Sequence, residues 1–236
     1  MSNAIHTILN KCAAFGRYLI PQNCVLCGAH SGDSRLCESC FADLPGLPEH
    51  CPRCASPSPD GLQCGSCLSA PPDFDATHAC WCYAFPTTHL VHLLKFRANL
   101  GLAGFFGEAL AARFPHNRFD IIVPMPLHAR RLRERGFNQS MEIARHVARA
   151  TGIPLADRAV ARVRATAAQS DLPVARRARN VRNAFCCSAD LRGLRVAVID
   201  DVMTTGSTLA ELARVIRRAG AAQVENWIVA RTLRDY

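Results

Sequence analysis

An α/β protein with a parallel sheet covered by helices on both faces, preceded by a small cysteine-rich module, is the fold class this sequence predicts. Three observations carry that expectation. Four C-x-x-C pairs crowd between Cys24 and Cys67. Beyond residue 75, short apolar runs alternate with segments of helical period, the pattern of strands buried on both faces. One such run, in "VAVIDDVMTTGSTL" (196–209), ends on two aspartates and passes into a hydroxyl-rich turn around one glycine.

The elements follow in chain order. Residues 1–20 read as an amphipathic lead-in helix, not a signal peptide, because a basic n-region and a strong apolar core are missing from "MSNAIHTILNKCAAFGRYLI". Residues 21–75 form the cysteine module. Its pairs are Cys24/Cys27, Cys37/Cys40, Cys51/Cys54 and Cys64/Cys67, so C-x2-C-x9-C-x2-C occurs twice at an offset of 27. Asp33 and Asp60, Ser39 and Ser66, and Pro45 and Pro72 fall at the same offset, which marks an internal duplication. Two C-x-x-C turns can offer four thiolates to one Zn²⁺, and four thiolates leave no position open to substrate, so two structural zinc sites are expected. The repeat favours sequential pairing (24, 27, 37, 40; then 51, 54, 64, 67), with interleaved pairing as the alternative. A thioredoxin-like redox role calls for one such motif beside a strand and helix, not four in tandem. The remaining cysteines, Cys12, Cys80, Cys82, Cys186 and Cys187, lack ligand spacing and read as small core residues.

Residues 76–236 form the larger domain. "HACWCYAF" (78–85) reads as a strand, "LVHLLKF" and "LGLAGFFGEALAARF" as helices, and "FDIIVP" (119–124) as a strand stopped by proline. Met141, Ala144, Val147 and Ala148 share one helical face opposite Glu142, Arg145 and Arg149. "RVAVID" (195–200) is the next strand. A helix then carries Leu209, Leu212 and Ile216 inward, with Thr208 and Glu211 at capping-box spacing and Gly220 at its C′ position. "VENWIVA" (224–230) closes as a strand. The basic, polar segment 162–183 fits no element and reads as a functional loop.

Charge is unevenly placed. The chain has 28 Lys and Arg against 19 Asp and Glu; residues 1–75 hold four of the former and seven of the latter. Thirteen arginines but only four acidic residues lie between Arg130 and Arg182. Such a surface suits phosphate, either of a small ligand or of a nucleic-acid backbone, although Phe137 is the one aromatic in that stretch and gives a poor stacking platform. The 49% hydrophobic fraction excludes wholesale disorder. No apolar run is long enough to span a bilayer. The chain is neither small nor evidently secreted, so a cytoplasmic location is expected, where thiols stay reduced and clustered cysteines usually mean metal.

The aspartates and the turn pose a chemical puzzle, because carboxylates repel the phosphate that a Thr-Gly-Ser-Thr turn opening a helix is suited to hold. Asp200 and Asp201 sit at the carboxyl end of a parallel strand, where open α/β sheets bind ligands. A ribose phosphate satisfies both halves: its phosphate in the turn of Thr204, Thr205, Gly206, Ser207 and Thr208, its hydroxyls donating to the carboxylates. The stretch is neither a G-x4-G-K loop nor a G-x-G-x-x-G fingerprint.

"VAVIDDVMTTGSTL" resembles the 5-phosphoribosyl-1-pyrophosphate (PRPP) motif of type I phosphoribosyltransferases. The wider chain, with the double C-x-x-C repeat, "LLKFRAN", "VPMPLHARRLRERGFNQS" and "QSDLPVARRARNVRNAF", resembles the ComF family of competence-associated proteins. The resemblance implies a double zinc ribbon fused to a type I phosphoribosyltransferase-like domain that handles PRPP with Mg²⁺ and serves DNA uptake. By it, Asp200 and Asp201 meet the ribose hydroxyls and 204–208 the 5′-phosphate. Met125 and Pro126 lie in the pyrophosphate loop, with Arg130, Arg131, Arg133 and Arg135 near the diphosphate. Arg176, Arg177 and Arg179 belong to a loop that closes over PRPP. Lys95 and Arg97 are weaker candidates, and His128 reads as a surface residue. Purine-salvage members place an aspartate where this chain has Thr204, whereas pyrimidine-type members share the threonine. No general base stands out. The expected activity is pentosyl transfer to an unidentified nitrogen acceptor. The alternative is a non-catalytic ribose-phosphate binder that engages single-stranded DNA and competence proteins.

Overall fold

The computed structural model describes residues 22–114, 116–165 and 179–233. The expected lead-in helix therefore lies outside the described residues, as do Cys12, Arg176 and Arg177. The chain divides into two compact units, one ending at Leu44 and the other running from Pro45.

The duplication in sequence is a duplication in structure. In the first unit, a bridge joins Asn23 to His30, a tight turn follows Cys24, and helix α1 spans Glu38–Ala42. In the second unit the same parts recur 27 positions later: a bridge from His50 to Pro57, a turn after Cys51, and helix α2 over Gly65–Ser69. The turns match in detail, since Cys24 and Cys51 each accept an amide four residues on, from Gly28 at 2.9 Å and Ala55 at 2.8 Å. Cys37 and Cys64 sit at the N-caps of α1 and α2. Each repeat thus brings two C-x-x-C pairs together with one backbone recipe.

The rest of the second unit is a four-stranded parallel sheet, order β1-β6-β5-β2, where β1 is Ala76–Cys82, β2 Ile121–Pro124, β5 Arg195–Met203 and β6 Gln223–Arg231. Helix α3 spans Thr87–Arg97 and α4 spans Gly101–Arg113; the left-handed conformation of Ala98 ends the first. Helix α5 covers Ala129–Arg135, α6 Gln139–Thr151 and α7 Ser207–Arg218.

On one face α7 packs Leu209, Leu212 and Ile216 against Val196, Val198, Val224 and Ile228. Each such side chain, fully buried, stabilises by about 1.5–3 kcal/mol. On the other face Trp227 meets Phe114 and Phe119 with ring centroids 5.7 and 5.2 Å apart. Helices α4 and α6 press together where Gly107 would, with any Cβ, sit 2.5 Å from the His146 Cβ and 2.9 Å from the Ile143 carbonyl.

Several expectations are corrected. Ile143, Ala144 and Val147 form the buried stripe of α6, while Met141 and Ala148 are only half-buried at its margins. Helix α7 starts at Ser207, two residues early, because Gly206 adopts φ +79° and turns the chain directly into it. The capping box is not used: Glu211 instead accepts the Asn183 amide at 2.7 Å and pairs with Arg214. Gly220 does take the left-handed exit expected of it. Of segment 162–183, residues 166–178 lie outside the described residues; its first residue ends β3 (Val160–Arg162), which pairs antiparallel with β4 (Phe185–Cys187). Cys80 and Cys82 are buried as expected and Cys187 packs half-buried against the core that holds Phe185, but Cys186, on the opposite side of β4, is exposed.

Candidate functional site

The eight cysteines gather into two clusters with sequential pairing: Cys24, Cys27, Cys37 and Cys40, and Cys51, Cys54, Cys64 and Cys67. Within each, the Sγ atoms lie within 4.8 Å of one another. Tetrahedral Zn–S bonds of ~2.3 Å set sulfurs ~3.8 Å apart. The Cys27–Cys37 separation of 3.7 Å and the Cys54–Cys64 separation of 3.6 Å fit that geometry. The electrostatics agree. Burial opposes ionisation of Cys24, yet the amides of Cys27, Cys37 and Leu26 outweigh it and hold the thiol down to about 6. At Cys51 burial is likewise outweighed, by the amides of Cys64, Cys54 and Arg53, and the thiol falls to about 7. The neighbouring sulfurs of Cys27 and Cys37 push Cys40 up, and burial followed by Cys54 pushes Cys67 up. Four sulfurs that cannot all ionise without a cation are a metal-ligand set.

A second constellation lies at the carboxyl end of β5. Asp200 and Asp201 occupy the strand itself and are 8% and 3% exposed. Asp200 Oδ1 accepts from Ser140 Oγ at 2.9 Å and from the Asp201 amide at 2.9 Å. Ser140 is held there by Asn138, which caps α6 by accepting the Ser140 amide and donates to the Met125 carbonyl at 3.0 Å. The "NQS" triplet therefore ties the loop after β2 to the acidic pair. Lys95, near the C-terminus of α3, places its Nζ 2.6 Å from Asp201 Oδ2. Burial first, and the Asp201 charge second, push the Asp200 carboxyl up to about 7 against the pull of Lys95, Ser140 and the Asp201 amide. Burial pushes the guanidinium pKa values of Arg135 and Arg162 down, opposed by Asp201 and Asp200 respectively. These cations are partly stripped of water and face the carboxylates.

The turn after β5 completes the site. Gly206 sits at the N-cap of α7 and has no side chain to cap it; the Ser207 amide makes only a long 3.4 Å bond to Thr205 Oγ1, and a helix N-terminus of this kind favours an anion. A Cβ on Gly206 would lie 2.5 Å from Met203 Cε. Thr205 and Ser207 hydroxyls meet at 2.9 Å. One cavity of about 290 Å³ is lined by the acidic pair and the turn residues Thr204, Gly206, Ser207 and Thr208.

Of the sequence candidates, Lys95, Met125, Arg131 and Arg135 also line this cavity. Thr205 lines a neighbouring one. Arg130 points away and pairs with Glu134 at 2.8 Å, both well exposed. Arg97 and Arg133 are exposed, Pro126 half-buried, and neither they nor Arg179 line the cavity. His128 is half-buried and caps α5, its Nδ1 accepting the Arg130 amide at 3.2 Å. Tyr83, Phe96, Gln139, Ser140 and Arg162 were missed. Phe96, Gln139 and Ser140 lie within the stretches quoted for the resemblance, and Arg162 within the basic segment; Tyr83 alone gives no signal.

The fold and the two cysteine clusters define a class: a double zinc ribbon joined to a phosphoribosyltransferase-like domain. The double zinc ribbon domain model matches residues 15–68, and the phosphoribosyl transferase domain model matches residues 136–235. The chain is 38% identical to DNA utilization protein YhgH of Escherichia coli K12 over 173 residues, covering 70% of this chain and 76% of that protein. It is 30% identical to Competence protein F of Haemophilus influenzae over 220 residues, 88% and 96% of the two chains. Among solved structures, glutamine PRPP amidotransferase from B. subtilis aligns at 24% identity with a TM-score of 0.38, over 53% of this chain and 25% of that one. The chain belongs to the ComF family. Among the described residues, no helix is long and apolar enough to cross a membrane.

Proposed function

We propose that the larger domain binds PRPP with Mg²⁺ and transfers its phosphoribosyl group to a nitrogen acceptor. One observation carries this: a buried carboxylate pair and a helix N-terminus with glycine at its N-cap line the same cavity, with Lys95, Arg131, Arg135 and Arg162 around it. In this reading the amides and hydroxyls of 204–208 take the 5′-phosphate, and Asp200 and Asp201 accept the ribose hydroxyls. Arg131 and Arg135 take the diphosphate.

The donor set also suits a divalent cation. Asp200 holds its proton up to about 7 even beside Lys95, so the pair is short of positive charge. Magnesium bound with the diphosphate would supply charge neutralisation there. At ribose C1 the bond to pyrophosphate breaks, a bond to the acceptor nitrogen forms, and the acceptor loses a proton. Guanidinium groups already in place stabilise the charge that leaves, with little reorganisation.

The test is pyrophosphate release from PRPP and Mg²⁺ across a panel of nucleobases and amines. Release that depends on one acceptor supports transfer; no release with any acceptor refutes turnover. The second reading then stands: a ribose-phosphate binder that engages single-stranded DNA. It draws on exposed Arg133, Arg149 and Phe96, and on relatives named for DNA utilization and competence. A steep fall of DNA affinity with salt, kept in Asp200→Asn/Asp201→Asn, is its signature.

A further inference from the structure

Arg231 ends β6, is 3% exposed, and uses its guanidinium as a cross-brace. Nε donates to the Cys54 carbonyl at 2.9 Å and Nη2 to Ser56 Oγ at 2.7 Å. Nη1 donates to the carbonyls of Met203 at 3.2 Å, Thr232 at 2.7 Å, and Thr204. Cys54 is a ligand of the second cysteine cluster. Met203 and Thr204 carry β5 into the turn that lines the acidic cavity. One buried side chain therefore holds a metal knuckle and the anion turn at once.

Packing contributes, since Cys54 lies against the core that holds Phe74 and Met203, but it leaves a gap. Between the cluster and the turn lies a separate cavity of about 370 Å³, with Cys54, Cys64 and Cys67 on one side and Met203, Thr205 and Gly206 on the other. The fixed donor fork of arginine bridges the gap where side chains leave space. The bridge also has a direction. In a planar trans peptide the C=O and the following N–H point opposite ways. Drawing the Met203 and Thr204 carbonyls toward Arg231 aims the Thr204 and Thr205 amides away from it. In the reading above, those amides belong to the turn that takes the 5′-phosphate.

We propose that Arg231 is a positioning residue that sets these amides for phosphate and couples metal occupancy of the second cysteine cluster to ribose-phosphate binding. The inference rests on the ribose-phosphate reading of the turn. Zinc in the second cluster fixes the knuckle that anchors Nε and Nη2; loss of zinc frees the anchor, and the turn loses its brace. Linkage is reciprocal: whatever factor zinc adds to ligand affinity, ligand adds to zinc affinity.

The experiment follows zinc loss from the full-length protein to a chelator by native mass spectrometry, with and without saturating PRPP and Mg²⁺, beside a PRPP binding isotherm. In the parent, PRPP slows loss of one of the two zinc ions about tenfold and leaves the other unchanged. Arg231→Lys, which keeps the charge but not the fork, weakens PRPP about tenfold and abolishes the protection. Unchanged zinc loss from a parent shown to bind PRPP overturns the coupling without touching the ribose-phosphate reading. An Arg231→Lys protein that binds PRPP like the parent overturns the positioning role. A flat isotherm with the parent overturns the ribose-phosphate reading itself, and this proposal with it.

Discussion

Asp200→Asn should stabilise the ligand-free protein, increasingly so as pH rises. Burial and the neighbouring Asp201 raise the Asp200 carboxyl from its ordinary 3.8 to about 7. The folded state therefore holds that proton more tightly than the unfolded chain. Stability from this group is fullest below about 4, and it is lost as pH rises toward 7, where the folded carboxyl ionises. A shift of about three units corresponds to about 4 kcal/mol at alkaline pH. Asparagine keeps an oxygen to accept from Ser140 and from the Asp201 amide, the two donors on Asp200 Oδ1, so the substitution removes the charge more than the bonds. Between pH 6 and 8.5 the advantage of the variant should grow by an amount on the order of 1 kcal/mol. For a domain of this size that is a widening of the melting-temperature gap by roughly 2–4 °C. Thermal melts of both proteins across that window, without ligand, measure it. A gap that stays constant, or that narrows with pH, would refute the argument that Asp200 is a carboxylate short of positive charge.

Other consequences are as specific. Gly206→Ala forces a Cβ into a left-handed residue 2.5 Å from Met203 Cε, so chemical denaturation should show a loss of about 1–2 kcal/mol, and PRPP affinity should fall with it. Gly107→Ala drives α4 off α6 at His146 and Ile143; it should cost about 1–3 kcal/mol in the same assay while leaving PRPP affinity unchanged. Native mass spectrometry should find two zinc ions per chain, and Cys51→Ser should lower the count by one.

What the sequence made readable followed from covalent order. The cysteine sites could be assigned because ligand spacing and a 27-residue repeat are facts about the chain itself. Asp200, Asp201 and Gly206 were visible because strand, acidic pair and turn are contiguous. Ser140 and Arg231 were not, since their roles depend on partners 60 and 177 residues away in the chain. Arg231 reads in sequence as the polar end of an apolar strand. The β3 and β4 strands, three residues each, are too short to show alternation. The start of α7 was misplaced because Thr208 and Glu211 imitate a capping box while the backbone freedom of Gly206 decides the turn.

Calorimetric titration of PRPP with Mg²⁺ into the parent and into Asp200→Asn/Asp201→Asn tests the central claim most directly. Two charge-assisted hydrogen bonds from ribose hydroxyls imply saturable one-site binding in the parent, weakened about 100-fold or more in the double variant. Equal isotherms would mean that the sugar does not rest on the buried acidic pair.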